Sequence, residues 1–537
     1  MSASARWLQK RAKQSRRRFR LLSDFEPDRS AGPALRFFVL SQRAIVNKGR
    51  PQIEEYETVS RSRKKLATRA PAAAERFNGS APGSLKASLT AAEPSSNLTA
   101  VFDPETLLKR GHAFSFAALF LFTLVLYARP AEFYPSAATK SLALVIGIVT
   151  LAVFAATQLM IDGKLTARPS EVNLALLFML TGLASIPLAI DASIAWGEFT
   201  NTFARGILIF IVIVNVVRTP SRLNVMLLLS VVTALVLSVQ AMNDYRLGLN
   251  TVEGYRAAGR GTGLFGNTND MALYLVTMLP ISVAFFFGSK SALKKVIHAA
   301  CVAMMLFGIV LSYSRGAFIG VLVVSVFFAL KIGRRSKFEI AVLLIGGALA
   351  MIVLAPSGYG DRLLSIFLPG LDPNGSADTR RGELLRSLYV ALRHPLLGIG
   401  MGNYQPNMSY NGLVTHNSYT QVAAEMGMLA LFLYVMFIVT PIRKLATVAR
   451  QTFTTKGDSQ FYYLALGLQA SLIVFMVSSF FLSMAYAWNV YYLVGYAVCF
   501  RRIYEAETGR AVIIEKKRAQ VTDSNSAETP IHQPAIA

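Results

Sequence analysis

Ser141–Ile161 reads SLALVIGIVTLAVFAATQLMI, an unbroken run without Asp, Glu, Lys or Arg. Wound as an α-helix, a run of this length extends about 30 Å, the thickness of a bilayer's hydrocarbon core. Lipid offers backbone groups no hydrogen bonds, so such a run must close its own. The same signature recurs outward from it. The pattern predicts twelve spans, at about 113–128, 141–161, 172–190, 203–217, 223–240, 270–288, 296–313, 316–331, 338–355, 419–441, 461–483 and 486–500. The expected fold class is therefore an all-α polytopic membrane protein with about 12 transmembrane helices and a large outward loop, 356–418, containing short helices.

Composition agrees. The 537 residues are 53% hydrophobic and only 16% charged, yet 55 Lys and Arg against 30 Asp and Glu leave a net charge of +25. A globular domain carries about 25% charged residues. A nucleic-acid binder this basic would not have a mean hydropathy of +0.44. Segregation reconciles the two figures, with apolar residues in runs and basic residues between them. A soluble enzyme, a disulfide scaffold, a mainly disordered chain and a nucleic-acid partner are all disfavoured. Cys301 and Cys499 fall on separate apolar runs and read as packing residues.

Residues 1–105 hold 20 basic and 10 acidic residues and no run able to span. They read as a mostly disordered cytoplasmic extension, with no h-region to make the basic start a signal peptide. Residues 106–503 form the membrane domain, and 504–537 a polar cytoplasmic tail. The positive-inside rule puts the basic N-terminus in the cytoplasm. Alternate loops then carry Lys164 and Arg168, Arg218 and Arg222, Lys290 to Lys295, Lys331 to Lys337, and Arg443 to Lys456 on the same side. Both termini are expected inside.

Two outward loops are long, about 241–269 and 356–418. The second predicts an amphipathic helix between Arg381 and Pro395, with Leu384, Leu385, Leu388, Tyr389 and Leu392 at helical spacing, lying on the outer face. Together the loops contain Arg246, Arg256, Arg260, Arg362, Arg380, Arg381, Arg386 and Arg393, and no Lys. Guanidinium pairs bidentately with phosphate, so an Arg-only set points to a phosphorylated ligand. Arg315, in the short turn of Ser312-Tyr-Ser-Arg-Gly316, joins the set as an ionisable group at the membrane boundary. His416, in Thr415-His-Asn-Ser-Tyr419, is the candidate general base for a hydroxyl. His394 precedes Pro395 in a turn and reads as structural. Glu425 is expected to pair with an Arg or to orient the histidine. No pair of intramembrane carboxylates stands out.

Gly261-Thr-Gly-Leu-Phe-Gly266 matches GxGxxG literally but lacks the strand context that a dinucleotide site requires. Gly398-Ile-Gly-Met-Gly402 reads as a tight backbone turn. No Walker A sequence supports ATP-driven transport.

Taken as an ordered set, three motifs resemble the bacterial O-antigen ligase and polymerase superfamily of the WaaL and Wzy types. They are Ser312-Tyr-Ser-Arg-Gly-Ala-Phe-Ile-Gly320, Arg381 with His394-Pro-Leu-Leu-Gly-Ile-Gly400, and His416-Asn417 with Glu425-Met-Gly427. Gly263-Leu-Phe-Gly-Asn-Thr-Asn-Asp270 also fits, with Thr268 where the family more often has Pro. The resemblance covers about 113–500. It implies a GT-C-like glycosyltransferase of the bacterial inner membrane with a periplasmic active site. Its donor would be an undecaprenyl-pyrophosphate-linked glycan, and its acceptor a glycan or lipid A-core. No metal, nucleotide or other cofactor is implied, and polysaccharide-assembly proteins are possible partners. Carried over by position, His416 is the base, with attack inverting the anomeric carbon. Arg315 and Arg381 would stabilise the leaving pyrophosphate. Arg260, Arg380, Glu425 and Asn417 are substrate-binding candidates. The competing class is a lipid-linked glycan flippase without catalysis. A flippase should spread polar groups through the membrane interior rather than gather Arg and His in one outward loop.

Overall fold

The computed structural model describes residues 112–512, apart from 260–264, 333–336, 354, 366–374, 411 and 454–458. The extension 1–105, the tail beyond 512, Arg260 and most of the GxGxxG stretch lie outside the described residues.

Helices dominate. They are α1 (Ala113–Ala128), α2 (Ala137–Asp162), α3 (Ser170–Ser185), α4 (Ala192–Val216), α5 (Pro220–Leu247), α6 (Thr268–Gly288), α7 (Ala292–Ser312), α8 (Arg315–Lys331), α9 (Lys337–Val353), α10 (Tyr359–Leu364), α11 (Ser376–Arg393), α12 (Ser418–Met426), α13 (Met428–Thr452), α14 (Ser459–Ser478) and α15 (Trp488–Thr508). Among the described residues the only sheet is a hairpin of β1 (Thr251–Val252) and β2 (Arg256–Ala257), paired Thr251 to Ala257 and Val252 to Arg256. Nine of the described helical segments are long and apolar enough to cross a membrane: α1 continued to Phe133, α3 continued to Leu188, α14 continued to Phe481, and α2, α4, α5, α6, α7 and α13. The chain is an α-helical multi-pass membrane protein. Three more helices occupy predicted spans. α8 and α9 have 17 residues each, and α15 contains Arg501, Arg502 and Glu505.

Helix starts follow local chemistry. Ser136 and Thr139 form a capping box on α2, Thr219 caps α5 just before Pro220, and the Asp191 carboxylate accepts from the amides of Ser193 and Ile194 to start α4. Burial then sorts the helices. α6 is the most enclosed and lies against α7 and α14. Gly467 of α14 lets the helices meet, because a Cβ there would come within 2.5 Å of the Ala284 Cβ. α2 is the least enclosed, leaving Leu144, Val145, Ile148 and Val149 exposed for lipid. α15 closes the bundle against early helices. Tyr492 shares a 3.0 Å hydrogen bond with Thr123 of α1, Tyr496 shares one of 3.0 Å with Ser230 of α5, and the Cys499 thiol donates to the Ile213 carbonyl of α4 at 3.3 Å.

Two expected spans differ. The run 419–441 is broken at Gly427, so α12 stands apart and the spanning segment starts at Met428. The break is satisfied by the segment after α11. Ile399 and Gly400 donate to the carbonyls of Ala424 and Glu425, both at 2.9 Å, and Met428 donates to the Pro395 carbonyl at 2.7 Å. The GIGMG stretch is thus the turn expected of it, and it occupies carbonyls that a helix end leaves open. Gly427 has φ 88° and ψ 176°, a conformation essentially restricted to glycine, and a Cβ there would sit 2.2 Å from the Leu396 carbonyl oxygen. Gly427→Ala is expected to cost at least ~3 kcal/mol and to leave little folded protein. Size-exclusion of detergent-extracted protein checks this, and a wild-type yield of monodisperse variant would contradict it. The second difference is in α4, which begins before the predicted 203 and contains a π turn at Phe199–Phe203.

The amphipathic helix forms as α11, with its apolar stripe turned outward. Leu385, Leu388, Tyr389 and Leu392 are exposed, and the face packed on the protein carries Glu383, Ser387, Val390 and Ala391. Ser387 donates to the Thr420 hydroxyl of α12 at 2.8 Å. An exposed apolar stripe of this kind is stable at a membrane interface.

Candidate active site

His416 is built into a clamp. On one side the Asn417 side chain accepts from the amides of Tyr419 and Thr420, both at 2.9 Å, and so caps α12. On the other side the Thr415 hydroxyl donates to the Asn417 carbonyl at 2.9 Å and meets Ser483 at 2.8 Å. Ser418 donates to the Leu482 carbonyl at 2.7 Å and accepts from the Met484 amide at 2.8 Å. These bonds tie 415–418 to the α14–α15 loop and hold the half-buried His416 between them at φ 53°. A non-glycine residue in the left-handed region costs roughly 1–3 kcal/mol and marks a position to explain functionally.

The start of α8 rests on the same loop through Gly316, the neighbour of Arg315. Ser478 donates to the Gly316 carbonyl at 3.2 Å, and a Cβ on Gly316 would meet the Phe481 side chain at 3.2 Å. Arg315 opens α8 with its guanidinium drawn into the protein. One face of α8 continues from it through Phe318, Leu322 and Ser325, which line an apolar cavity of about 510 Å³ between α6, α7, α8 and α9. Tyr359 and Leu363 of α10 lie over the same cavity.

On α11, Arg380 is half-buried, and its positive charge bears on His416. Arg381 is exposed, because the next residue along a helix turns about 100° away. Burial first, and then Arg380, hold the His416 pKa down to about 4, against the upward pull of Glu383. The imidazole is therefore neutral, and able to accept a proton, throughout the physiological range. The sign is definite: activity that needs this base is lost only as pH falls through about 4, not through the ordinary 6.5. His416 itself is expected to add no inflection to a kcat/KM profile of the reconstituted protein over roughly pH 5–8, and an inflection near 6.5 that persists in Glu425→Gln would contradict the assignment. Saturating an anionic donor should shift the kcat profile upward, since nearby negative charge favours imidazolium.

Other expected residues fall differently. Arg256 donates to the Ser312 carbonyl at 3.1 Å, to Asn269 at 3.0 Å and to Glu253 at 3.3 Å. Arg362 donates to the Tyr255 hydroxyl at 3.0 Å and lies 3.6 Å from Glu253. Arg386 bonds the Met408 carbonyl and sits 3.4 Å over the Tyr410 ring, and Arg393 lies over Tyr389. Four of the loop arginines are therefore already engaged in folding the loops. His394 is exposed and caps α11 through its backbone. Asn417 spends its side-chain oxygen on the α12 cap. The hydrogen bonds of Glu425 are not to an Arg or to His416. Its buried carboxylate accepts from the Tyr486 hydroxyl at 2.9 Å and the Tyr404 amide at 3.3 Å, and burial pushes its pKa up to about 7.

Residues 300–435 match the Wzy_C family, O-antigen ligase. Over this stretch, about a quarter of the chain, the sequence is similar to O-antigen ligases. No curated protein matches it. The O-antigen ligase match runs from within α7 into α13 and contains Arg315, both candidate arginines of α11, His416 and Glu425. The resemblance read from the motifs therefore stands. Helix α4 and the α14–α15 loop lie outside the matched stretch, yet the loop supports the site. Sequence reasoning missed it because Ser478–Tyr486 carries no charge to draw attention.

Proposed function

We propose that this chain is a bacterial inner-membrane glycosyltransferase, twelve-span and GT-C-like, that works on the periplasmic face on undecaprenyl-pyrophosphate-linked glycan. The carrying observation is a neutral imidazole, held on the same loop as the start of α8 and under the charge of Arg380. The donor's polyprenyl tail lies along the apolar groove below Arg315, and its pyrophosphate meets Arg315 and Arg380. Arg381, at the surface, meets the pyrophosphate as it arrives. His416 takes the proton of an acceptor hydroxyl while the oxygen attacks the anomeric carbon. The bond from that carbon to the pyrophosphate oxygen breaks, its electron pair leaves with undecaprenyl pyrophosphate, and the configuration inverts. The arginines stabilise the charge that grows on the leaving group. Neither a metal nor a cofactor enters this scheme.

The test replaces the native protein in cells with His416→Asn and follows surface glycan and lipid-linked glycan together. Loss of glycan extension or attachment, with donor accumulating outside, is expected. Donor trapped inside would instead mark a flippase. Single repeat units on the acceptor would identify a polymerase, and long chains left on the lipid carrier a ligase.

A further inference from the structure

A second cavity, of about 220 Å³, opens beside the catalytic segment at Thr415. Its polar lining includes Glu198, Glu425, Gln405, Gln421, Tyr404 and Tyr486, and no Lys or Arg is among its lining residues. Glu198 comes from α4, far away in sequence, and immediately precedes the π turn. π turns occur mostly as single bulges and are frequent at functional sites. The turn at Gly402 closes onto this carboxylate: a Cβ on Gly402 would stand 3.4 Å from the Glu198 Cβ. The two carboxylates are near enough for the charge of Glu198 to help keep Glu425 protonated, after burial. One proton on such a pair offers both a donor and an acceptor.

The charge balance selects the ligand. A cavity with two acids and no cation repels a diphosphate, so the donor's diphosphate belongs with the arginines. Hydroxyl groups suit it well, because the Glu198 carboxylate can accept from adjacent hydroxyls, with the Gln405 and Gln421 amides beside it, while the Tyr404 and Tyr486 hydroxyls already donate to Glu383 and Glu425. The volume is below the roughly 300–1,000 Å³ of sites for drug-sized ligands, which fits a single sugar ring rather than a chain.

We propose that this cavity is the acceptor-sugar subsite and that Glu198 binds hydroxyls of the terminal acceptor ring, presenting the next hydroxyl to His416. The assignment of the ring as acceptor rests on the transferase reading above. The test is saturation-transfer NMR on the full chain in lipid nanodiscs, with methyl glycosides of neutral hexoses and N-acetylhexosamines as probes. At least one glycoside is expected to bind, Glu198→Gln to weaken it by about tenfold or more, and Glu198→Asp to weaken it less. A cavity that only holds water would show no transfer from any probe, which overturns the proposal, as would equal binding by a folded Glu198→Gln. The two readings fail separately. Normal surface glycan from His416→Asn would remove the transferase assignment while leaving a measured Glu198-dependent glycoside site.

Discussion

His416→Asn is expected to lower transfer by roughly 10²–10⁴-fold, the usual contribution of a positioned general base. Asparagine is the informative substitution because of the backbone. At φ 53° an alanine would carry the strain of the left-handed region without the imidazole. Any loss seen with His416→Ala would then mix chemistry with folding. Asparagine is among the residues enriched at positive φ and cannot take up a proton. The Thr415 and Asn417 bonds that hold the segment do not use the imidazole, so the clamp should survive. Protein level and elution profile should match wild type while surface glycan disappears. A folded variant that makes normal glycan would remove His416 from the mechanism.

Arg315→Lys is expected to lose about 10²–10³-fold, although the charge is kept. Lysine is a point charge, whereas the guanidinium fork matches two phosphate oxygens at once. A stability measurement separates this role from a structural one. Arg315 is the first residue of α8, where the helix dipole already presents positive charge and a cation is unfavourable. Arg315→Met should lower transfer further than Arg315→Lys does, and by more than any loss of folded protein accounts for. A variant that loses activity only in proportion to lost folded protein would point to packing instead.

The membrane architecture was legible because a bilayer demands long apolar runs, and Ser141–Ile161 shows one without interruption. Ends were less so. Gly427 splits an apolar run with a backbone conformation that hydropathy does not register, and the π turn before Ala204 lengthens a helix past its apolar part. At the site, His416, Arg315 and an α11 arginine stood out because charge in greasy surroundings is conspicuous. Arg380 and Arg381 differ in exposure through the helix face, because α11 buries the side opposite its leucines. Glu253 explains why the Arg-only pattern overcounted ligand contacts, since a single acid engages both Arg256 and Arg362. Glu198 carried no local signal at all. It acquires meaning only when α4 is laid beside the turn at Gly402.

The closing position of α15 bears on how the protein is made. Thr123 and Ser230 enter the membrane early in synthesis, but their tyrosine partners arrive with the last helix. Until then those hydroxyls can turn back only to their own helices, as both do to carbonyls four residues earlier. A nascent chain halted before Trp488 thus holds most of its spans and none of the keystone that joins first to last. Such a chain is expected to be removed by membrane quality control, so stop codons before Trp488 should behave as full losses of the protein.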